Sequence, residues 1–246
     1  MHSDQPVITI ITPCYNESII VILFLEQVAK AVADLPFFFR VVVVDDCSTD
    51  DTLQLLQAFT FGSNNIRLTV VSMPENSGHQ AAIYKGLVEA GLHPSGRFII
   101  MDADGQDAPE VIAEMLTIEE ADIVHIVRGK RNEPLIFRGC YFMYRMLFRL
   151  LTGQRMNYGN FCMINRKILE TATDARFTHF PAFLAKQKVN KKYVASPRSN
   201  RLGGSSKMGF VKLTKHALRS FIEYWDVIKL SRLLPVIAII FLAACG

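Results

Sequence analysis

Over the first 130 residues, short apolar runs and polar breaks alternate with a regular spacing. Residues 7–11 form an apolar run that reads as a buried strand and is expected to stop at Thr12-Pro13. Residues 18–32 predict a helix. Residues 40–44 predict a second strand, and the valines from Val41 to Val44 favour one buried on both faces. A helix over 50–59, a strand over 66–72 and a helix over 80–90 closed by Gly91 follow. A fourth strand is expected over 97–101 and a fifth over 122–127, with Pro109 in the first turn of the helix between them.

Strands separated by helices at this spacing predict an α/β fold: a Rossmann-like, mostly parallel sheet with helices on both faces. In such sheets ligands bind beyond the carboxyl ends of the strands. The polar residues are placed accordingly. Thr12–Glu17 follows the first strand, Asp45–Asp50 the second, Asn76–Gln80 the third, Asp102–Asp107 the fourth, and Arg128–Arg131 the fifth. All five clusters therefore belong to one edge of the sheet.

Asp102 and Asp104 are alternating carboxylates in a short turn, with Gly105 allowing the bend and Gln106 adding a neutral oxygen. Oxygen donors of this kind suit Mg²⁺ or Mn²⁺, which usually bridges to substrate phosphates. The competing role for an Asp ahead of Pro109 is to cap the following helix, and Asp107 is assigned that role. Asp46 is expected to meet the ligand, while Asp45 supports the turn. Neither G-x-G-x-x-G nor G-x-x-x-x-G-K-[ST] is present, which argues against a dehydrogenase or a P-loop NTPase.

Charge divides the chain. Residues 186–232 hold twelve Lys or Arg against Glu223 and Asp226, a balance of +10, and the remainder carries −6. A basic segment of this kind calls for an anionic partner. Nucleic acid is disfavoured, because the acidic part would repel a duplex and no stacking platform is evident. The cysteines Cys14, Cys47, Cys140, Cys162 and Cys245 lack the spacing of a zinc site or disulfide framework, which suits a cytosol-facing protein. No signal peptide is expected at the N-terminus. Residues 233–245 carry no charge and read as the start of a transmembrane helix, with Lys229 and Arg232 as its cytoplasmic flank. Before it, Phe210 to Leu230 places apolar residues at helical steps among Lys and Arg, which suits an amphipathic helix in the membrane interface.

Thr-Pro-Cys-Tyr-Asn-Glu, Val-Asp-Asp-Cys-Ser-Thr-Asp-Asp-Thr, Asn-Ser-Gly-His-Gln-Ala-Ala and Met-Asp-Ala-Asp-Gly-Gln-Asp-Ala-Pro-Glu occur in that order. Together they resemble family 2 glycosyltransferases of the GT-A fold. Within them the chain is similar to the polyprenyl-phosphate branch, in register from about Val7 to Lys215. The resemblance implies that Pro13, Tyr15, Glu17 and Asp46 hold the nucleoside and that Asp102 lies near the ribose and the metal. It makes Asp104 and Gln106 metal ligands and turns Arg128 and Arg131 toward the diphosphate and the acceptor phosphate. Arg201-Leu-Gly-Gly-Ser-Ser-Lys207 resembles a branch signature in which Arg201, Ser206 and Lys207 meet phosphate groups.

Two departures stand out. Gly105 replaces the branch's usual leucine, so a looser metal loop with no lost ligand is expected. Asn160 stands where many relatives have an Asp that is a candidate base. A phosphate acceptor is already anionic at neutral pH and needs positioning more than a base, so Asn160 favours such an acceptor unless Asp107 or another carboxylate serves as base.

The expected organisation is a catalytic domain over 1–200, a basic acceptor-binding and interface segment over 201–232, and the start of a membrane helix over 233–246. The expected reaction is inverting, metal-dependent transfer from a nucleotide-diphosphate sugar to a polyprenyl phosphate, undecaprenyl phosphate above all. It is set at the cytoplasmic face of a bacterial inner membrane, with a UDP-sugar favoured by analogy and homo-oligomerisation left open. A sugar hydroxyl as acceptor, or a non-catalytic nucleotide-sugar-binding scaffold, are the alternatives.

Overall fold

A computed structural model describes residues 5–129, 135–154, 158–196, 217–226 and 228. The chain divides into two compact units. The first comprises residues 1–130, 158–177 and 189–206, and the second 131–157, 178–188 and 207–246.

The first unit is built on a seven-stranded sheet in the order β3-β2-β1-β4-β6-β5-β7. Its strands are β1 (Val7–Cys14), β2 (Phe38–Asp45), β3 (Ile66–Ser72), β4 (Arg97–Ile100), β5 (Ile123–Arg128), β6 (Cys162–Asn165) and β7 (Lys191–Ser196). β6 runs antiparallel to both β4 and β5, and every other pairing is parallel. The sheet is thus mostly parallel, as the alternation of elements predicts.

The valine run shows why both faces are covered. Side chains alternate across a strand. Val41 and Val43 join Ile8 and Ile10 in a core with Phe24, Leu25, Val28 and Ile112, from α1 (Val21–Val32) and α4 (Val111–Leu116). Val42 and Val44 face the other way and pack with Ala82 of α3 (His79–Gly91). α2 (Thr52–Ala58) adds Leu56 to the first face, and α3 also meets α6 (Arg166–Ala175).

β1 outlasts its expected end. It continues through Thr12-Pro13 to Cys14, with Pro13 opposite Val44 and Cys14 opposite Asp45. The missing N–H of Pro13 does not end the strand, and the ladder carries both polypeptides to one common edge.

α3 can lie close to that sheet because Gly86 has no side chain. A Cβ there would stand 2.5 Å from Ile11 Cγ2 and 3.1 Å from Val44 Cγ2, both on stiff β-branched residues. This contact fixes the depth at which the N-terminus of α3 meets the sheet edge.

In the second unit, α5 (Leu135–Thr152) packs Phe148 against Phe221 and Tyr224, with ring centroids 5.7 and 5.2 Å apart. Tyr144 shares a 2.9 Å hydrogen bond with Ser220. α7 (Phe180–Lys186) begins beside Glu223, whose carboxylate accepts bonds from the Thr178 and His179 amides. Residues 217–222 are helical, so part of the expected amphipathic segment is described. The remainder of that segment and the expected membrane helix lie outside the described residues. Among the described residues no helix is long and apolar enough to cross a membrane.

Two predictions follow from packing. Gly86→Ala should lower stability by about 1–2 kcal/mol, because overpacking outweighs the helix propensity gained. An unchanged or raised urea midpoint would contradict the close contact. The second concerns His125, which is buried in β5 with its ring 3.7 Å from that of Tyr158. Burial, aided by the charge of Lys191, pushes its pKa down to about 3. Its contribution to stability is complete above the ordinary value of about 6.5 and is lost as pH falls toward about 3. His125→Phe should therefore lose less stability than the parent between neutral pH and about pH 5. Equal losses in urea titrations at the two pH values would contradict the assignment.

Candidate active site

The loops beyond the carboxyl ends of β1 to β4 are hydrogen-bonded to one another. Asn16, with φ of 54°, accepts from the Thr49 amide at 2.7 Å and donates its own backbone N–H to Ser48 Oγ. The Glu17 amide donates to Thr52 Oγ1, and the Ser18 amide to Asp50. These bonds hold the Thr12–Glu17 loop against the turn after β2. Asp45, fully buried, accepts from the Ser48 amide at 3.1 Å and so supports its turn as expected.

Asp46 is also buried, and its two oxygens accept from the backbone amides of Ser77 and Gly78, each at 2.8 Å. Gly78, at φ of 91°, is the residue immediately before α3. The carboxylate at the end of β2 thus anchors the loop that starts α3. Any contact of Asp46 with a nucleoside would use the lone pairs that these bonds leave.

After β4, exposure alternates with the side chain. Asp102, Asp104 and Gln106 are partly exposed, whereas Ala103, Gly105 and Asp107 are buried. Three oxygen-bearing side chains therefore share the accessible side of one turn. The turn is pinned twice: the Asp102 amide donates to Asp107 at 2.9 Å and the Gln106 amide to Asp104 at 3.0 Å. Gly105 has φ of 74°, a conformation a leucine would adopt only with strain.

The assignment of Asp107 as a helix cap is overturned. α4 starts from Glu110 with no side-chain cap, and Asp107 instead closes the turn by accepting from Asp102. Its buried position allows it to reach back across the turn to that amide.

The residue that sequence reasoning left unassigned is His79, the first residue of α3. Its Nε2 lies 3.2 Å from Asp102 Oδ1 and 2.9 Å from Asn160 Nδ2. Burial pulls its pKa down, but Asp102, with Asp104 and Asp107 behind it, outweighs burial and leaves it raised. The available signal was a histidine directly after the glycine of Asn-Ser-Gly-His-Gln, at a strand-to-helix junction.

The predicted residues divide by place. Pro13, Tyr15, Glu17, Asp46, Asp102, Asp104 and Gln106 all belong to the first unit, Pro13 near the end of β1 and the others on loops at this edge, with Tyr15 37% exposed. Arg128 ends β5, and its side chain lies outside the described set. Arg131, Arg201, Ser206 and Lys207 lie outside the described residues. Among the described residues no cluster of three or more His, Cys, Asp or Glu can hold a metal by itself. The accessible oxygens of Asp104 and Gln106 nevertheless fit a hard cation that takes its other ligands from a diphosphate and water.

The family model for glycosyl transferase family 2 matches residues 9–173, which contain every loop just described. The chain belongs to glycosyl transferase family 2. It is 28% identical over 215 residues to undecaprenyl-phosphate 4-deoxy-4-formamido-L-arabinose transferase of Yersinia enterocolitica, covering 84% of this chain and 64% of that protein. It is 32% identical over 180 residues to the uncharacterized glycosyltransferase YkoT of Bacillus subtilis, covering 69% of this chain and 52% of that one. The chain therefore spans about two thirds or less of the length of these relatives.

Solved structures share the fold. Glucosyl-3-phosphoglycerate synthase of Mycobacterium tuberculosis, solved with Mn²⁺, UDP and phosphoglyceric acid, aligns at TM-score 0.61 and 15% identity, over 94% of this chain and 79% of its own. The mannosyltransferase PcManGT of Pyrobaculum calidifontis, solved with GDP-Man and Mn²⁺, aligns at TM-score 0.59 and 20% identity, over 93% and 66%. These likenesses place the glycosyl transferase domain in the GT-A fold.

Asp46→Ala leaves two loop amides without their acceptor and should cost about 2–4 kcal/mol of stability. Chemical denaturation reads this directly. Unchanged stability would contradict the anchoring role.

Proposed function

We propose that the chain transfers a sugar from a nucleotide-diphosphate donor to a polyprenyl phosphate at a membrane surface, with inversion at the anomeric carbon. The observation that carries this reading is the turn after β4, where Asp102, Asp104 and Gln106 share the accessible side while Asp107 holds the backbone closed. Pro13, Tyr15, Glu17 and Asp46 line the nucleoside end, and Asp102 meets the ribose. Asp104 and Gln106 would hold Mg²⁺ or Mn²⁺, which when bound would neutralise charge on the departing diphosphate. The acceptor phosphate oxygen forms the new bond to the anomeric carbon as the bond to the donor's β-phosphate oxygen breaks. The nucleoside diphosphate then departs with that electron pair. Arg128, Arg131, Arg201, Ser206 and Lys207 receive the phosphates on the two sides of this exchange.

The acceptor class rests on the Yersinia relative, whose name specifies undecaprenyl phosphate, and on Asn160, which offers no carboxylate to deprotonate an alcohol. A UDP-sugar donor is favoured by the UDP-bound structural relatives. The membrane assignment draws on the second unit. Its described surface exposes Phe142, Met143, Met146, Leu150, Ile222 and Trp225, and α5 contains no acidic residue while carrying Arg145 and Arg149. Apolar and basic side chains on one unit suit an anionic bilayer surface. In this proposal residues 1–200 carry the chemistry, 201–232 bind acceptor and interface, and 233–246 begin a membrane helix, with the domain on the cytoplasmic face.

One observation favours a second reading. His79 stands 2.9 Å from Asn160 and supplies a titratable group where position 160 has none, which would serve a sugar hydroxyl as acceptor.

The test incubates the protein with Mn²⁺ or Mg²⁺, a panel of nucleotide sugars and undecaprenyl phosphate in detergent, then searches for a glycolipid by mass. The expected product disappears with EDTA and falls at least about a hundredfold in Asp104→Ala. Transfer only to non-phosphorylated acceptors would select the hydroxyl reading. Donor binding without any turnover would select the scaffold, and full activity in Asp104→Ala would overturn the metal assignment.

A further inference from the structure

The loop that carries Tyr15 and Glu17 leads into α1, and neither α1 nor α2 is capped by the residue ahead of it. Ile20 precedes α1 and Asp51 precedes α2, and neither makes a side-chain cap bond. The order of the loop comes instead from Asp50 and Thr52. The Thr52 hydroxyl donates to Asp50 Oδ1 at 2.5 Å, and the Thr52 amide donates to the same oxygen at 3.0 Å. With its proton directed to Asp50, the hydroxyl oxygen accepts from the Glu17 amide at 2.9 Å. Asp50 Oδ2 accepts from the next amide, that of Ser18, at 3.3 Å. Burial raises the pKa of Asp50, but the bonds from Thr52 and Ser18 outweigh it and leave it lowered. The carboxylate is therefore ionised at neutral pH.

Thr52 is fully buried, which excludes bulk water as a competing partner for its hydroxyl. The Glu17 carbonyl is fixed as well, because it accepts from the Ile20 and Val21 amides at 3.0 and 2.9 Å. Glu17 is thus held at both ends of its backbone, by α1 on one side and by the loop after β2 on the other. Beside it, Asn16 stands at φ of 54° and is clasped to Ser48 and Thr49. The directions in which Tyr15 and Glu17 leave the backbone follow from these contacts. Without the relay, the Glu17 and Ser18 amides lose their acceptors and the loop can turn its side chains away.

We propose that Asp50 and Thr52 are positioning residues for the donor nucleotide: their relay sets the backbone at Glu17 and Ser18, and through it the affinity for the nucleoside end. The inference rests on the donor reading above, in which Tyr15 and Glu17 hold the nucleoside. It adds two residues and the route by which they act, through the backbone of a neighbouring loop.

The experiment measures the Kd of UDP and of GDP by calorimetry at one fixed Mn²⁺ concentration. The parent, Asp50→Ala, Thr52→Val and Thr52→Ser are compared, with thermal unfolding of each. Valine keeps the shape of threonine and removes the hydroxyl, whereas serine keeps the hydroxyl. Asp50→Ala and Thr52→Val should each weaken the parent's tighter-binding nucleotide roughly tenfold. Thr52→Ser should stay within about twofold of the parent. Parent-like affinity in a folded Asp50→Ala or Thr52→Val overturns the proposal. So does a Thr52→Ser as weak as Thr52→Val, because the hydroxyl is then not what positions the loop. Unfolding of both Asp50→Ala and Thr52→Val below the assay temperature makes the relay a requirement of the fold alone and overturns it too. A parent that binds neither nucleotide brings down the donor reading, and this inference with it.

Discussion

Buried carboxylates holding backbone amides are the constraint on which this site depends. Asp46 gives both oxygens to the loop before α3, and Asp107 gives one to the turn after β4. Both carboxylates are buried. Their effect is to make neighbouring residues present themselves: Asp102, Asp104 and Gln106 on one turn, and His79 at a helix start. A buried amide left unpaired in these positions would cost about 1–3 kcal/mol. The acidic character of the sheet edge therefore has two layers. Buried acids shape the loops, and partly exposed acids lie on the accessible side of the edge.

This division explains how a parallel sheet becomes a binding surface. The ladder between β1 and β2 continues to Cys14 and Asp45, so the two loops start at the same height. Gly86 then lets α3 approach until its first turn reaches the β4 loop. Packing distance is thus converted into the 3.2 Å separation of His79 and Asp102. A glycine in mid-helix, costly to the helix itself, has its reason in this approach.

Much of the fold was legible because its signals were local. Two-faced burial explains the run of valines in β2, and punctuation by glycine and proline located the loops. What escaped was tertiary. β6 spans only Cys162–Asn165, too short for an alternating pattern to announce it, and is antiparallel. β7 reads Lys-Lys-Tyr-Val-Ala-Ser, half of it exposed, and resembles a basic loop until it pairs with β5. At the site, spacing revealed the Asp102–Gln106 set but could not distinguish a capping Asp107 from one that closes its own turn. His79 was invisible as a functional residue because its partners lie 23 and 81 positions away in sequence.

The central claim is that the accessible oxygens after β4 gather a metal and a nucleoside diphosphate at the edge of the sheet. A crystal structure of the protein grown with Mn²⁺ and UDP tests it most directly. The account predicts anomalous density for manganese within ligand distance of Asp104 and Gln106, bridged to the diphosphate, with the ribose against Asp102. Nucleotide bound away from this turn, or manganese held by other side chains, would contradict it.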